Sequence, residues 1–298
     1  MKKKTEILNY CPFCKKHFNE GEEAYCFRSS GNLFLIAHRG CGPYTETKRV
    51  VSSSNEIALA GESKLWRYMD LGKFISMMKN SSLFFSAPKC FKDVFEGAHG
   101  ELGNKSKWDN YYSNYFRTSL ITAPDNCWHH VDPVVLEKNV KNLLKQITER
   151  PKNNVFINCW HWNEYESEAM WNLYSSSVDN AVAIQTTYAL LKEELGAEVK
   201  VKPVHYIDFS RHFADINELY LYKRKSFEYE HEVRAYFYDF SNKKVLGIER
   251  RVDLNRLING VYISPYSPDW YYNLISDLVS RYGYSFNVFR SNMVKQPF

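Results

Sequence analysis

The chain has 298 residues, 44% hydrophobic and 24% charged, which excludes a disordered or collagen-like protein and suits a small accessory module followed by one larger body. No apolar run reaches the roughly 18 residues of a membrane helix, and no apolar stretch follows Lys2, Lys3 and Lys4, so neither a membrane span nor a secretory signal is expected. The net charge of +5 falls short of a dedicated nucleic-acid binder, although basic residues also gather at Lys223, Arg224 and Lys225 and at Arg250 and Arg251.

The seven cysteines are an odd number, and two of them form a Cys-x-x-Cys pair. Metal-bound thiolates in a reducing cytoplasm fit this better than a disulfide framework. Cys11-Pro-Phe-Cys14 and His38-Arg-Gly-Cys41 are two pairs of zinc-ligand type, separated by 23 residues. Between them, residues 25–27 and 33–36 read as the strands of a hairpin turning at Gly31-Asn32. Two close pairs on two elements supply the tetrahedron that zinc prefers, so Cys11, Cys14, His38 and Cys41 are the expected ligands. Cys26 or His17 are possible replacements. The arrangement resembles a treble-clef zinc finger. Residues 1–48 are this module, whose folding energy would come from a structural Zn2+, and residues 49–62 are a Ser-rich linker.

The body is expected over 63–298. Residues 65–68 read as a strand, and Asp70 caps a helix carrying Phe74, Met77 and Met78. Residues 80–82 break it before a strand over 83–86. Residues 99–130 are polar and aromatic with no clear period. Asp132-Pro133 opens a helix with apolar positions 136, 140, 143, 144 and 147 on one face, stopped by Pro151. Strands follow over 155–160, 181–186, 199–206 and 232–240, the last with Val233, Ala235 and Phe237 on one side. Helices are expected from Ser167, over 188–195 up to Gly196, from Asp253, and from Pro268 to Gly283. Short strands cover 261–264 and 286–289. Helices and strands mix without a regular β-α-β rhythm, which favours α+β with mixed or antiparallel sheets.

Three blocks stand out in this body. The first runs from Leu65-Trp66-Arg67-Tyr68 through Leu83-Phe84-Phe85-Ser86 to Asp93 and Glu96. The second runs from Cys159-Trp160-His161-Trp162 to Met170, Trp171 and Tyr174. The third spans 223–235 and holds Glu230-His231-Glu232-Val233-Arg234. In this order they resemble a bacterial domain-of-unknown-function family with abortive-infection members, over residues 63–298. A more distant resemblance is to ADP-ribosyltransferases, whose core strands carry an Arg or His, then a Ser or Tyr, then a Glu. Arg67, Ser86 and Glu232 stand in that order, and Glu230-x-Glu232 matches the Glu-x-Glu form of the third motif. The second motif lacks the Ser-Thr-Ser pattern.

The resemblance implies an ADP-ribosyltransferase-like split-sheet domain that consumes NAD, acting as a toxin in phage defence or beside an antitoxin protein. The acceptor would be a macromolecule, RNA or DNA among the candidates. Cleaving NAD builds positive charge on the ribose, and a nearby carboxylate stabilises it. Glu232, assisted by Glu230, takes that role, and Arg67 holds the pyrophosphate or ribose. Tyr68, Ser86, Phe85 and Trp171 complete the expected NAD site. Each residue also has a plainer reading. Arg67 fits a surface strand, Ser86 a turn, and Trp171 the core. Glu230 and Glu232 fit one strand face neutralised by Arg234 or Lys225. Two other functions stay open: a non-catalytic zinc-stabilised nucleic-acid-binding protein, and a divalent-metal nuclease using Asp93, Glu96 and the 230/232 carboxylates.

Overall fold

A computed structural model describes residues 58–121, 132–175, 177–216, 218–241, 245–295 and 297, together with two strands near the N-terminus, 24–28 and 34–38. The chain divides into two compact units. One comprises Met1–Asn55, Ala98–Pro151 and Ile207–Leu219, and the other comprises Glu56–Gly97, Lys152–Tyr206 and Tyr220–Phe298. The first boundary falls inside the expected linker. Residues 98–151 and 207–219 group with the first unit rather than with the rest of 63–298.

In the first unit, β1 (Ala24–Arg28) pairs antiparallel with β2 (Phe34–His38), with Ala24 opposite His38. This is the hairpin expected between the two ligand pairs, and His38 ends its second strand. Cys11, Cys14, Cys41 and the side chain of His38 lie outside the described residues, as does the turn at 31–32. A helix expected nowhere in 99–130, α2 (Lys105–Ile121), occupies the aromatic segment. Trp108 and Tyr112 pack in a tilted pair along it with ring centroids 4.6 Å apart, and Tyr115 and Phe116 follow one turn later. The helical period was carried by aromatics alone, with polar residues between them masking it. Helix α3 (Pro133–Asn154) buries Val140 and half-buries 136, 143, 144 and 147, the face its sequence marks. It runs one turn beyond Pro151, which does not stop it. Arg117 on α2 grips Glu137 on α3 through Nε at 2.6 Å and Nη2 at 2.9 Å.

The second unit is built on a mixed nine-stranded sheet, so its class is α+β. Its strands are β3 (Lys64–Asp70), β4 (Ser82–Ser86), β5 (Val155–Trp162), β6 (Ala181–Thr187), β7 (Lys200–Pro203), β10 (Glu232–Tyr238), β11 (Gly247–Arg251), β12 (Gly260–Ile263) and β13 (Val288–Arg290). The path is β11-β4-β5-β3-β6-β12-β13, with β10 on the other edge of β5 and β7 beyond it. All pairings are antiparallel except β12 with β13. The short strands β8 (His205–Ile207) and β9 (Tyr222–Arg224) form a separate ribbon.

One face of the sheet carries the main core. Val233, Ala235 and Phe237 of β10, Leu65 and Met69 of β3, and Val182 and Ile184 of β6 point into it. Helices cover that face: α1 (Leu71–Asn80) through Phe74, Met77 and Met78, α5 (Tyr188–Leu195) through Leu191 and Leu195, α6 (Leu254–Leu257), and α7 (Asp269–Arg281). The buried α7 residues are Tyr271, Ile275 and Val279, while Trp270 is exposed. On the opposite face Trp66, Tyr68, Ala181 and Ala183 pack with Met170 and Trp171 of α4 (Glu168–Tyr174). Period-two alternation therefore sends Leu65 and Trp66 to opposite covered faces. Among the described residues, no helix is long and apolar enough to cross a membrane.

The turn that leaves this unit at Gly97 needs glycine. Its φ is +66°, and an added Cβ would lie 2.6 Å from Cε1 of the Tyr220 ring. Gly97→Ala should cost about 1–3 kcal/mol from backbone strain and crowding. Urea denaturation reads this as a lower midpoint at unchanged slope, and a wild-type midpoint would contradict it.

Candidate functional site

Strands β3 and β4 share one edge of β5 and touch it at different points. Ser86 of β4 stands opposite Ile157, while Trp66 and Leu65 of β3 stand opposite His161 and Trp162. Between those points residues 158–160 of β5 have no strand partner on that side, though β10 pairs the whole opposite edge. Side chains fill in for the missing ladder. Arg67 Nη1 donates to the Cys159 carbonyl at 3.4 Å, and Asn158 Nδ2 donates to the Phe84 carbonyl at 2.9 Å. The split opens a cavity of about 470 Å³.

Arg67, Tyr68, Ser86, Glu230 and Glu232 all border this cavity, so five of the expected site residues converge from three chain segments. Phe85 and Trp171 do not border it. Phe85 is fully buried against Phe237, with centroids 5.2 Å apart, and Trp171 is fully buried against Tyr68 at 4.9 Å. Strand alternation is the reason for the first: Phe85 faces the core, and its neighbour Phe84, 46% exposed, lines the cavity instead. Trp66, Phe91, Cys159, His161 and Tyr174 also line it, and none was expected there.

The carboxylates sit in a buried charge cluster. Strand β9 leads through a 3-10 turn, Lys225–Glu230, to His231, whose φ of 39° swings the chain into β10. Glu230 is thus on the turn and not on the strand, correcting the shared strand face expected for it and Glu232. The sharp reversal nevertheless brings both to one ammonium. Lys223 Nζ bonds Glu230 Oε2 and reaches Glu232 Oε2 at 3.0 Å. Arg234 clasps Glu232 through Nε at 2.8 Å and Nη2 at 3.0 Å. It also bonds Glu96, with Nη2 to Oε2 at 3.1 Å, and gives Nη1 to the Tyr220 carbonyl at 2.6 Å. Arg234 is 1% exposed and Glu232 5%. Arg234 and Lys223, rather than Lys225, are the neutralising cations. Removing one partner of such a cluster strands a buried charge.

Asp93 and Glu96, candidate metal ligands in the sequence, are occupied too. Asp93 takes Arg224 Nη2 at 2.7 Å, and the Arg224 guanidinium lies 4.9 Å from the Phe95 ring and 5.1 Å from the Phe227 ring. Among the described residues, no cluster of three or more His, Cys, Asp or Glu could hold a metal.

Arg67 differs from Arg234. It meets no carboxylate among the described residues, and its bond to Cys159 leaves most of its donors unengaged. Burial pulls its pKa down, against a smaller rise from Cys159. Burial pushes Cys159 well above the usual thiol value, and the Glu232 charge adds to that, so it is a neutral thiol and no nucleophilic thiolate. Tyr174 is raised by burial and then by the charges of Glu230 and Glu232. The residue is 41% exposed, yet it borders the cavity beside the buried carboxylates.

For Glu232, burial raises the pKa, but Arg234 and Lys223 outweigh it and hold the group at about 2. For Glu230 burial prevails over Lys223, and its pKa rises. No family model, curated protein or solved structure matches the chain.

The two glutamates act oppositely on stability. Glu232 has a depressed folded value, so its contribution is full above pH about 4.5 and drains as the pH falls toward 2. Glu230, with a raised value, favours the protonated chain and loses stability as the pH rises. Between pH 5 and 3 the urea midpoint of the wild type should therefore fall more steeply than that of Glu232→Gln. Parallel pH profiles would contradict the ion-pair assignment.

Proposed function

We propose that the cavity at the sheet split binds NAD and that the chain is an ADP-ribosyltransferase-like toxin of a phage-defence or toxin–antitoxin setting. The observation that carries this reading is the convergence of Arg67, Ser86, Glu230 and Glu232 on one cavity. An uncommitted guanidinium suits a pyrophosphate, which binds through paired N–H donors. Trp66, Tyr68 and Phe84 offer flat apolar walls for a nicotinamide or adenine ring.

In the reaction, positive charge builds on the ribose as the nicotinamide bond lengthens, and a carboxylate beside it lowers the barrier. Charge balance divides the two glutamates. Both oxygens of Glu232 are held by Arg234 or Lys223, whereas Glu230 has Lys223 on one oxygen. Glu230 is therefore the freer group to face the ribose, and Glu232 anchors the cations around it. The same pairing weighs against the nuclease reading: Asp93, Glu96, Glu230 and Glu232 each already carry a protein cation.

Arg67→Ala and Glu230→Gln should each cut nicotinamide release from NAD about 100-fold while keeping the wild-type fold by circular dichroism. Glu232→Gln should cut it as well but lower stability. NAD turnover at the wild-type rate in Arg67→Ala would end the assignment. Label from NAD, followed into protein, RNA and DNA fractions, identifies the acceptor, for which the basic run at 2–4 supports a nucleic acid, whereas Lys223 and Arg224 are already paired with Glu230, Glu232 and Asp93.

We also propose that a structural Zn2+ sits in the first unit on Cys11, Cys14, His38 and Cys41. The hairpin β1–β2 spans the interval between the two ligand pairs, with His38 at its end, which supports a treble-clef-like site. Native mass spectrometry should find one zinc per chain, lost in Cys14→Ser. A metal-free wild type, purified without chelator, would refute it.

A further inference from the structure

Three buried polar atoms without a partner among the described residues gather on one short stretch of β5: Asn158 Oδ1, Trp160 Nε1 and His161 Nε2. The stretch is the part of β5 left unpaired by the split and the residue that adjoins it. Buried polar groups are normally paired, and Trp160 and His161 both border the cavity. Unmet hydrogen-bonding capacity concentrated at a cavity wall points to a ligand that supplies the complement.

His161 goes further than its neighbours because its tautomer is fixed. Nδ1 lies 2.6 Å from the Glu230 carbonyl oxygen, which can only accept, so Nδ1 carries the hydrogen and Nε2 carries a lone pair. The side chain is 6% exposed. Burial lowers its pKa below the ordinary 6.5, the Glu230 carbonyl raises it by less, and His231 lowers it further. Titratable and charged neighbours surround it. The Tyr68 and His231 rings lie 6.2 Å away, Glu232 is the cross-strand partner, and Arg67, Cys159, Glu230 and Tyr174 share the cavity wall.

We propose that His161 Nε2 is the proton acceptor for the group that attacks the ribose. This rests on the transferase reading. The acceptor's O–H or N–H bond breaks and its proton passes to Nε2. The freed electron pair forms the bond to ribose C1′, and the C1′–nitrogen bond breaks with its pair leaving on neutral nicotinamide. The other candidates are poor bases at neutral pH. Cys159 and Tyr174 hold their protons, and Glu232 is locked to two cations at a value of about 2. His161 is uncharged, holds an unshared lone pair at Nε2, and adjoins Glu230, the carboxylate assigned to the ribose.

The test joins kinetics to spectroscopy. In His161→Asn, whose amide can still donate to the Glu230 carbonyl, transfer from NAD should fall about 100-fold or more, while NAD affinity stays within a factor of about three. The wild-type rate should drop as the pH falls through the lowered histidine value, and that limb should vanish in the variant. Imidazole should partly rescue His161→Ala. Full transfer by His161→Asn with the acid limb retained would overturn the proposal and leave the transferase reading standing. A wild type that binds no NAD would overturn both. Independently of NAD and of any variant, 15N-histidine spectra of the wild type should show a neutral ring with Nδ1 protonated; an Nε2-protonated ring would overturn the base assignment by itself.

Discussion

Two strands contend for one edge of β5, and the site exists because neither takes all of it. β4 reaches the edge at Ile157 and β3 at His161, leaving the backbone between them without a ladder. A sheet interior normally satisfies every N–H and C=O from a neighbouring strand. Here the Arg67 guanidinium answers the edge at the Cys159 carbonyl, and the Asn158 carboxamide reaches from β5 to the Phe84 carbonyl of β4. The splay that this permits is the cavity. It also allows residues from both faces of the sheet to border one space, as Trp160 of the core face and His161 of the opposite face do.

The charge cluster is the second consequence of the same strand pairing. Arg234 stands opposite Cys159 and Glu232 opposite His161, so β10 presents its polar side to the split while Val233, Ala235 and Phe237 anchor it in the core. Burying three carboxylates with two cations is costly by desolvation and is recovered only through dense hydrogen bonding. Arg234 meets that demand with Glu232, Glu96 and the Tyr220 carbonyl. The cluster walls one side of the cavity, and Arg67, outside it, meets no carboxylate among the described residues.

Much of this was legible before any coordinates. Alternation over 232–240 marked Val233, Ala235 and Phe237 as core and so placed Glu232 and Arg234 on the other face, although the strand ends at Tyr238. Gly196 and Asp253 mark helix ends by their own chemistry. What escaped was long-range. Nothing local shows that Lys223 turns back onto Glu230 and Glu232, because a 3-10 turn and a left-handed histidine do the turning. Phe85 read as a ligand-facing aromatic because register, not composition, decides which of two adjacent phenylalanines meets the cavity. Helix α2 escaped because aromatic spacing at 108, 112, 115 and 116 is a weak signal without aliphatic support. Strand β11 escaped because Arg250 and Arg251 stood out only as a basic cluster, yet it pairs β4 along its whole length.

The central claim is that the splayed edge of β5 forms the seat of a dinucleotide. A crystal structure of the chain with a non-cleavable NAD analogue tests it most directly. The account requires the analogue's phosphates on the Arg67 guanidinium, with a ribose between Glu230 and the His161 ring. An analogue bound elsewhere on the chain, or an unliganded split under saturating analogue, would contradict it.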